Sequence, residues 1–111
     1  MLKKSQRLTT EEVNLLMEKG KIAYSTLFTL RFTAGQTKTK FAAIAPKKIA
    51  KTAVARNLAR RRVYEALALL INDPLKSGCH VAILCKEKAI GIAPKALAAD
   101  LKTLLGKANI L

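Results

Sequence analysis

The sequence predicts an α/β domain of the α+β kind, a small mixed central sheet with helices packed on it, in the order α-β-β-β-α-β-α. Three observations predict it. Runs rich in β-branched and aromatic residues alternate with segments of helical periodicity. A strand, a long amphipathic helix and another strand follow one another between about residues 38 and 85, which makes a β-α-β unit. The 111 residues, 50% of them hydrophobic, suffice for one core and leave no room for a second. With 5% aromatic content and no Trp, that core is aliphatic.

The elements follow in order. After a basic lead, MLKKSQRL, Thr9-Thr10-Glu11-Glu12 has the form of a capping box. Val13, Leu16 and Met17 continue at helical spacing and Gly20 stops the run, so a first helix spans about 9–19. Ile22 to Phe32 reads as one or two strands, and Ala34-Gly35-Gln36 as a turn. Lys38 to Pro46 is the next strand, so Gly35 and its neighbours are expected to close a hairpin. A long helix at about 51–71 carries Ala59, Val63, Ala66, Leu67 and Leu70 on its core face, with Asn57, Arg61, Tyr64 and Ala68 opposite. Arg56 and Arg60 lie on one flank and Arg62 on the other. Asn72-Asp73-Pro74 ends the helix, and Ser77-Gly78 turns into the apolar run Cys79–Cys85, a strand buried on at least one face. Pro94 suits the first position of a last helix that carries Ala96, Leu97, Leu101, Leu104 and Leu105 and ends at Gly106.

The formal net charge is +14. Folding does not require it, since self-repulsion destabilises a small domain, and a polyanionic partner is the simplest reason to retain it. A basic surface kept only for solubility would spread its charge. Here Lys47, Lys48, Lys51, Arg56, Arg60, Arg61 and Arg62 cluster, with Asn57 among them. A merely solvated helix face would alternate Glu and Lys at i, i+4, but only Glu65 opposes the arginines. The lysines lead into a helix start, where free amides and the helix dipole favour phosphate. Arg bridges phosphate oxygens with paired hydrogen bonds, and Asn57 suits a base edge, a 2′-hydroxyl or a phosphate.

Catalytic chemistry is not expected in this chain. His80 stands alone beside an apolar strand without an orienting carboxylate, and the acidic residues are scattered. No nucleophile motif or Gly-rich phosphate loop is present. Cys79 and Cys85 bracket one strand, roughly 20 Å apart, too far for a disulfide. They form no zinc pattern, and free buried thiols fit a reducing cytosol. Met1 to Ser5 passes into polar residues, so neither a signal peptide nor a membrane span is expected.

Lys47-Lys48 at a strand end, then Arg56-Asn57, then Arg60-Arg61-Arg62 and Glu65-Ala66, resembles the signature helix of the bacterial ribonuclease P protein component. Arg7-Leu8, the first helix with Gly20-Lys21, the strand Val81–Leu84 and the last helix extend the resemblance to nearly the whole chain. Two departures stand out. Leu58 occupies the third position of the family's Arg-Asn-Arg element, and Val13 and Met17 stand where the family often has aromatics facing a cleft.

The resemblance implies a ribosomal-protein-like fold with a left-handed β-α-β crossover. It implies a protein subunit of ribonuclease P, in which the RNA partner carries the catalytic centre and the ribonucleoprotein removes the 5′ leader of precursor tRNA. Magnesium is held mainly by the RNA, with no metal bound tightly by the protein. One protein per RNA and a cytoplasmic location follow. The RNA-binding set is Lys47, Lys48, Lys51, Arg56, Asn57, Arg60, Arg61 and Arg62. The leader cleft draws on Val13, Met17, Phe28, Leu30, Arg31 and Phe32, although spacing alone assigns Val13 and Met17 to core packing. The alternatives are a ribosomal or other structural RNA-binding protein of similar fold, and a stand-alone nuclease, which would need clustered carboxylates.

Overall fold

The computed structural model describes residues 7–36, 39–70, 78–108 and 110. Their order is α1 (Thr10–Lys19), β1 (Lys21–Tyr24), β2 (Phe28–Thr33), β3 (Lys40–Ile44), α2 (Ala53–Leu70), β4 (His80–Cys85), a 3-10 turn at Glu87–Ala89 and α3 (Pro94–Lys107). The capping box forms as expected. Thr9 Oγ1 accepts from the Glu12 amide at 3.2 Å, and Glu12 Oε1 accepts from the Thr9 amide at 2.9 Å. α1 stops at Gly20, where a Cβ would meet the Leu16 carbonyl oxygen at 2.5 Å, so no side chain fits.

The four strands pair in the order β1-β2-β4-β3. β1 with β2 and β2 with β4 are antiparallel, while β3 with β4 is parallel. The expected hairpin of β2 with β3 around Gly35 does not form, because β4 lies between them. The reason is burial: Val81, Ala82 and Ile83 in β4 are each 0% exposed, so this strand is apolar on both faces and takes a central place. The chain after β2 pairs with the approach to β4 instead. Gln36 N donates to Gly78 O at 2.8 Å and Lys40 N to Cys79 O at 3.0 Å. Gly78 has φ +82°, and a Cβ there would sit 2.3 Å from Gln36 O, which only Gly tolerates.

Strand alternation splits the sheet into two faces. Phe28, Leu30, Phe41, Ala43, Val81, Ile83 and Cys85 face one core with Val63, Ala66, Leu67 and Leu70 of α2 and Leu97, Leu101, Leu104 and Leu105 of α3. On the other face α1 packs against β2 and β4 and buries Leu16. β3 is an edge strand, yet it is covered. Leu8 N donates to Phe41 O at 2.9 Å, and Ala43 N donates to the Tyr64 hydroxyl at 3.2 Å. Tyr64 is therefore turned to the sheet, not to the outer face of α2 as helical spacing suggested.

Smaller expectations also shift. Ala59 is half-buried and Ala96 exposed. Gly106 lies inside α3, which continues to Lys107. The helix stop assigned to Asn72-Asp73-Pro74 lies outside the described residues, as does Ser77. Both cysteines are buried and free, and burial pushes the Cys85 thiol up to about 11. No helix among the described residues is long and apolar enough to cross a membrane.

Candidate nucleic-acid interface

Pro46 ends β3, and its carbonyl accepts from the Ile49 and Ala50 amides at 3.1 Å each, closing a turn that displays Lys47 and Lys48 to solvent. Buried Ala50 anchors that turn. α2 starts at once, with Thr52 Oγ1 accepting from Ala55 N at 3.1 Å as a cap. No acidic residue stands in its first turn, so the positive end of the helix is not neutralised from within.

The predicted basic residues of α2 share this neighbourhood but not one role. Arg56 Nη1 donates to the carbonyls of Ala50 at 3.1 Å and Lys51 at 3.3 Å, so it staples the lysine turn to the helix. Arg60 Nη2 donates to Asn57 Oδ1 at 2.5 Å, which occupies the Asn oxygen and leaves its amide group to donate outward. Arg61 is exposed, and no hydrogen bond or ion pair among the described residues engages it. Lys51 is exposed beside the helix start, and Arg62 is half-buried on the far flank.

Sequence reasoning left Arg7 out of the interface. A parallel bridge to Phe41 brings it beside α2, where its guanidinium lies 4.9 Å from the Tyr64 ring centroid. With Asn57, Arg60 and Arg61 it lines a shallow cationic groove. Only tertiary pairing places it there, so no local signal could have found it.

The second predicted surface needs correction. Phe28 and Leu30 are 0% exposed in the core, and Phe32 packs against the same cluster, so none of the three lies on the face that α1 flanks. Their apolar and aromatic side chains are the reason the fold turns them to the core. The outer face carries the alternate residues. The register aligns Ile22 with Arg31, Tyr24 with Thr29, Thr29 with Leu84 and Ile44 with Leu84. Arg31 donates to the Met17 carbonyl and so binds α1 to this face. Val13 is half-buried and Met17 is exposed on α1. Tyr24 is 61% exposed, with Lys86 Nζ 5.4 Å from its ring centroid. Lys86 also donates to Ser25 O at 2.5 Å, which holds its ammonium at the ring. The missed signal was parity: once Phe28 and Leu30 are core, Thr29 and Arg31 must face outward.

On the same face Glu12 Oε2 lies 3.3 Å from Lys40 Nζ and 3.7 Å from His80 Nε2, so His80, expected to stand without a carboxylate, has one beside it from α1. The Thr9 amide, with help from Lys40, holds the Glu12 carboxyl below its ordinary value. Burial pushes His80 down, against the opposing pull of Glu12. Among the described residues no three His, Cys, Asp or Glu side chains group as metal ligands.

The chain matches the family model described as Ribonuclease P over residues 2–109. Its fold is similar to that of the Staphylococcus aureus RNase P protein, in a mutant with defective mRNA degradation activity, at TM-score 0.81 and 15% identity, covering 97% of this chain and 92% of that one. The Thermotoga maritima RNase P protein is similar at TM-score 0.78 and 19% identity, covering 91% of this chain and 96% of that one. At such identities the likeness establishes the fold. No curated protein matches the chain in sequence.

Proposed function

The chain belongs to the ribonuclease P protein family, and from that premise we propose that α2 binds the catalytic RNA while the outer sheet face receives the 5′ leader of precursor tRNA. The protein is a subunit of a ribonucleoprotein engaged in tRNA processing. The observation that carries the RNA-binding assignment is the division of α2. Val63, Ala66, Leu67 and Leu70 fix one side in the core, so the exposed Arg60, Arg61 and Asn57 are presented on a rigid support. Nothing in the comparisons supports the ribosomal alternative.

The proposed division of labour follows from what the side chains can do. Lys47, Lys48, Lys51, Arg60 and Arg61 neutralise phosphates, and Asn57 donates to a phosphate, base edge or 2′-hydroxyl. Arg56 acts by holding the lysine turn in place. On the sheet face, Tyr24 offers a ring for an unpaired base and Lys86 a charge for the adjoining phosphate. Met17, Val13, Ile22 and Leu84 supply apolar surface around them. In this reading the catalytic centre and the magnesium ions belong to the RNA and its substrate. The protein contributes charge and a track for single-stranded leader, with one protein per RNA, in the cytoplasm.

Reconstitution tests this. The protein is mixed with its cognate ribonuclease P RNA and precursor tRNA at low magnesium. Stimulated cleavage is the expected result. Cleavage by the protein without RNA would instead indicate a nuclease, and binding without stimulation would indicate a structural RNA-binding protein.

A further inference from the structure

The basic face of α2 is interrupted by apolar surface. Val54 is 78% exposed, Leu58, one turn on, is 38% exposed, and Ile90 after the 3-10 turn is 39% exposed. Leu58 takes no part in the core cluster, so its exposure is not explained by packing. It borders two depressions. One is the cationic groove with Arg7, Asn57, Arg60 and Arg61. The other is an apolar slot between α2 and the end of β4, walled by Leu58, Ala59 and Ile90 and floored by Val63 and Leu97. Arg62 also lines the slot. Neither depression is lined by Asp or Glu.

Size and charge together select the occupant. The slot holds about 160 Å³. An apolar cavity of about 150 Å³ accommodates benzene, so there is room for one six-membered ring. A ligand that brings a flat ring to the slot and negative charge to the arginines around it matches both features. An unpaired nucleotide has both, in its base and its phosphates.

We propose that Leu58 and Ile90 form a docking slot for one unpaired base of the ribonuclease P RNA, with its flanking phosphates on Arg61 and Arg62. This rests on reading α2 as the RNA-binding face. Leu58, at the position where the family motif has Arg, then exchanges a phosphate contact for an apolar contact with a base. Its energetic signature differs from that of an arginine, because apolar burial releases no counterions and leaves the salt slope unchanged.

The test measures binding of the whole protein to its cognate ribonuclease P RNA across salt, with dimethyl sulfate footprinting of the RNA. Leu58→Ala and Ile90→Ala are each expected to weaken binding about fivefold at every salt concentration, as for loss of a modest base contact. Both should re-expose the same unpaired base, whereas Leu58→Met should keep it protected. Arg61→Ala should flatten the salt slope and leave that base protected. Wild-type affinity and footprint in both alanine variants would overturn the slot, with α2 binding still intact. A self-associating free protein whose dimer is lost in Leu58→Ala would overturn it in favour of a second copy. Failure of the wild type to bind the RNA would overturn the reading of α2 together with the slot.

Discussion

Arg56 and Arg61 carry the same charge on the same helix, and the structure predicts that their removal has different consequences. Arg61 is exposed and engages no partner among the described residues. Arg61→Ala should leave stability unchanged and remove one phosphate contact. Each such contact contributes about 0.9 to the slope of log affinity against log salt. Between about 50 and about 200 mM salt the affinity advantage of the wild type over the variant should therefore shrink by about 3.5-fold. Arg56 instead donates at 3.1 and 3.3 Å to the Ala50 and Lys51 carbonyls from a half-buried position. Charge-assisted bonds are worth roughly 1.5–3 kcal/mol each, and partial exposure reduces the pair to about 1–2 kcal/mol. Arg56→Ala should lower Tm by roughly 5–10 °C at this chain length and weaken RNA binding by loosening the lysine turn. Thermal melts and filter binding over a salt series check both. If Arg56→Ala melts like the wild type while flattening the slope by a full contact, Arg56 is a free phosphate ligand and the staple argument fails.

Leu101 is 0% exposed in the core, so Leu101→Ala should cost about 2–5 kcal/mol, read as a lowered urea midpoint at constant m. Tyr64→Phe removes the acceptor of the Ala43 amide on the edge strand, with an expected cost of about 1 kcal/mol and faster hydrogen exchange at Ala43. Acidification should destabilise the fold in two windows. Burial lowers the His80 pKa from 6.5, so the folded state prefers neutral imidazole, and that contribution is lost as pH falls from 6.5 through the folded value. The Thr9 amide lowers the Glu12 pKa from 4.5, so its stabilisation is present above 4.5 and lost as pH falls through the lower folded value. Urea midpoints across pH should lose the upper step in His80→Gln and the lower step in Glu12→Gln.

The elements were legible because their signals are local. Thr9 and Glu12 specify a helix start within four residues, Pro94 specifies another, and the apolar spacing of Val63, Ala66, Leu67 and Leu70 marks the buried side of α2. The charge cluster was legible for the same reason, since α2 itself holds four arginines within seven positions. What failed depended on which strand lies beside which. Hydrophobic content marked Phe28, Leu30 and Phe32 without saying to which face they belong, and these are the residues that the fold turns to the core.

The sequence by itself determined the helices, the strands, the basic face and the family, because periodicity, capping and motif spacing are properties of short contiguous segments. The tertiary structure decided the rest. β4 displaced the expected hairpin because a strand apolar on both faces gains most from a central position. Arg7 joined α2 through a bridge to β3, and Arg56 became a staple where Arg61 stayed free. Leu58 was first a gap in a motif; packing made it one wall of an apolar slot beside arginines. Each of these outcomes depends on residues far apart in the chain, and contacts of that kind are fixed only when the whole core closes.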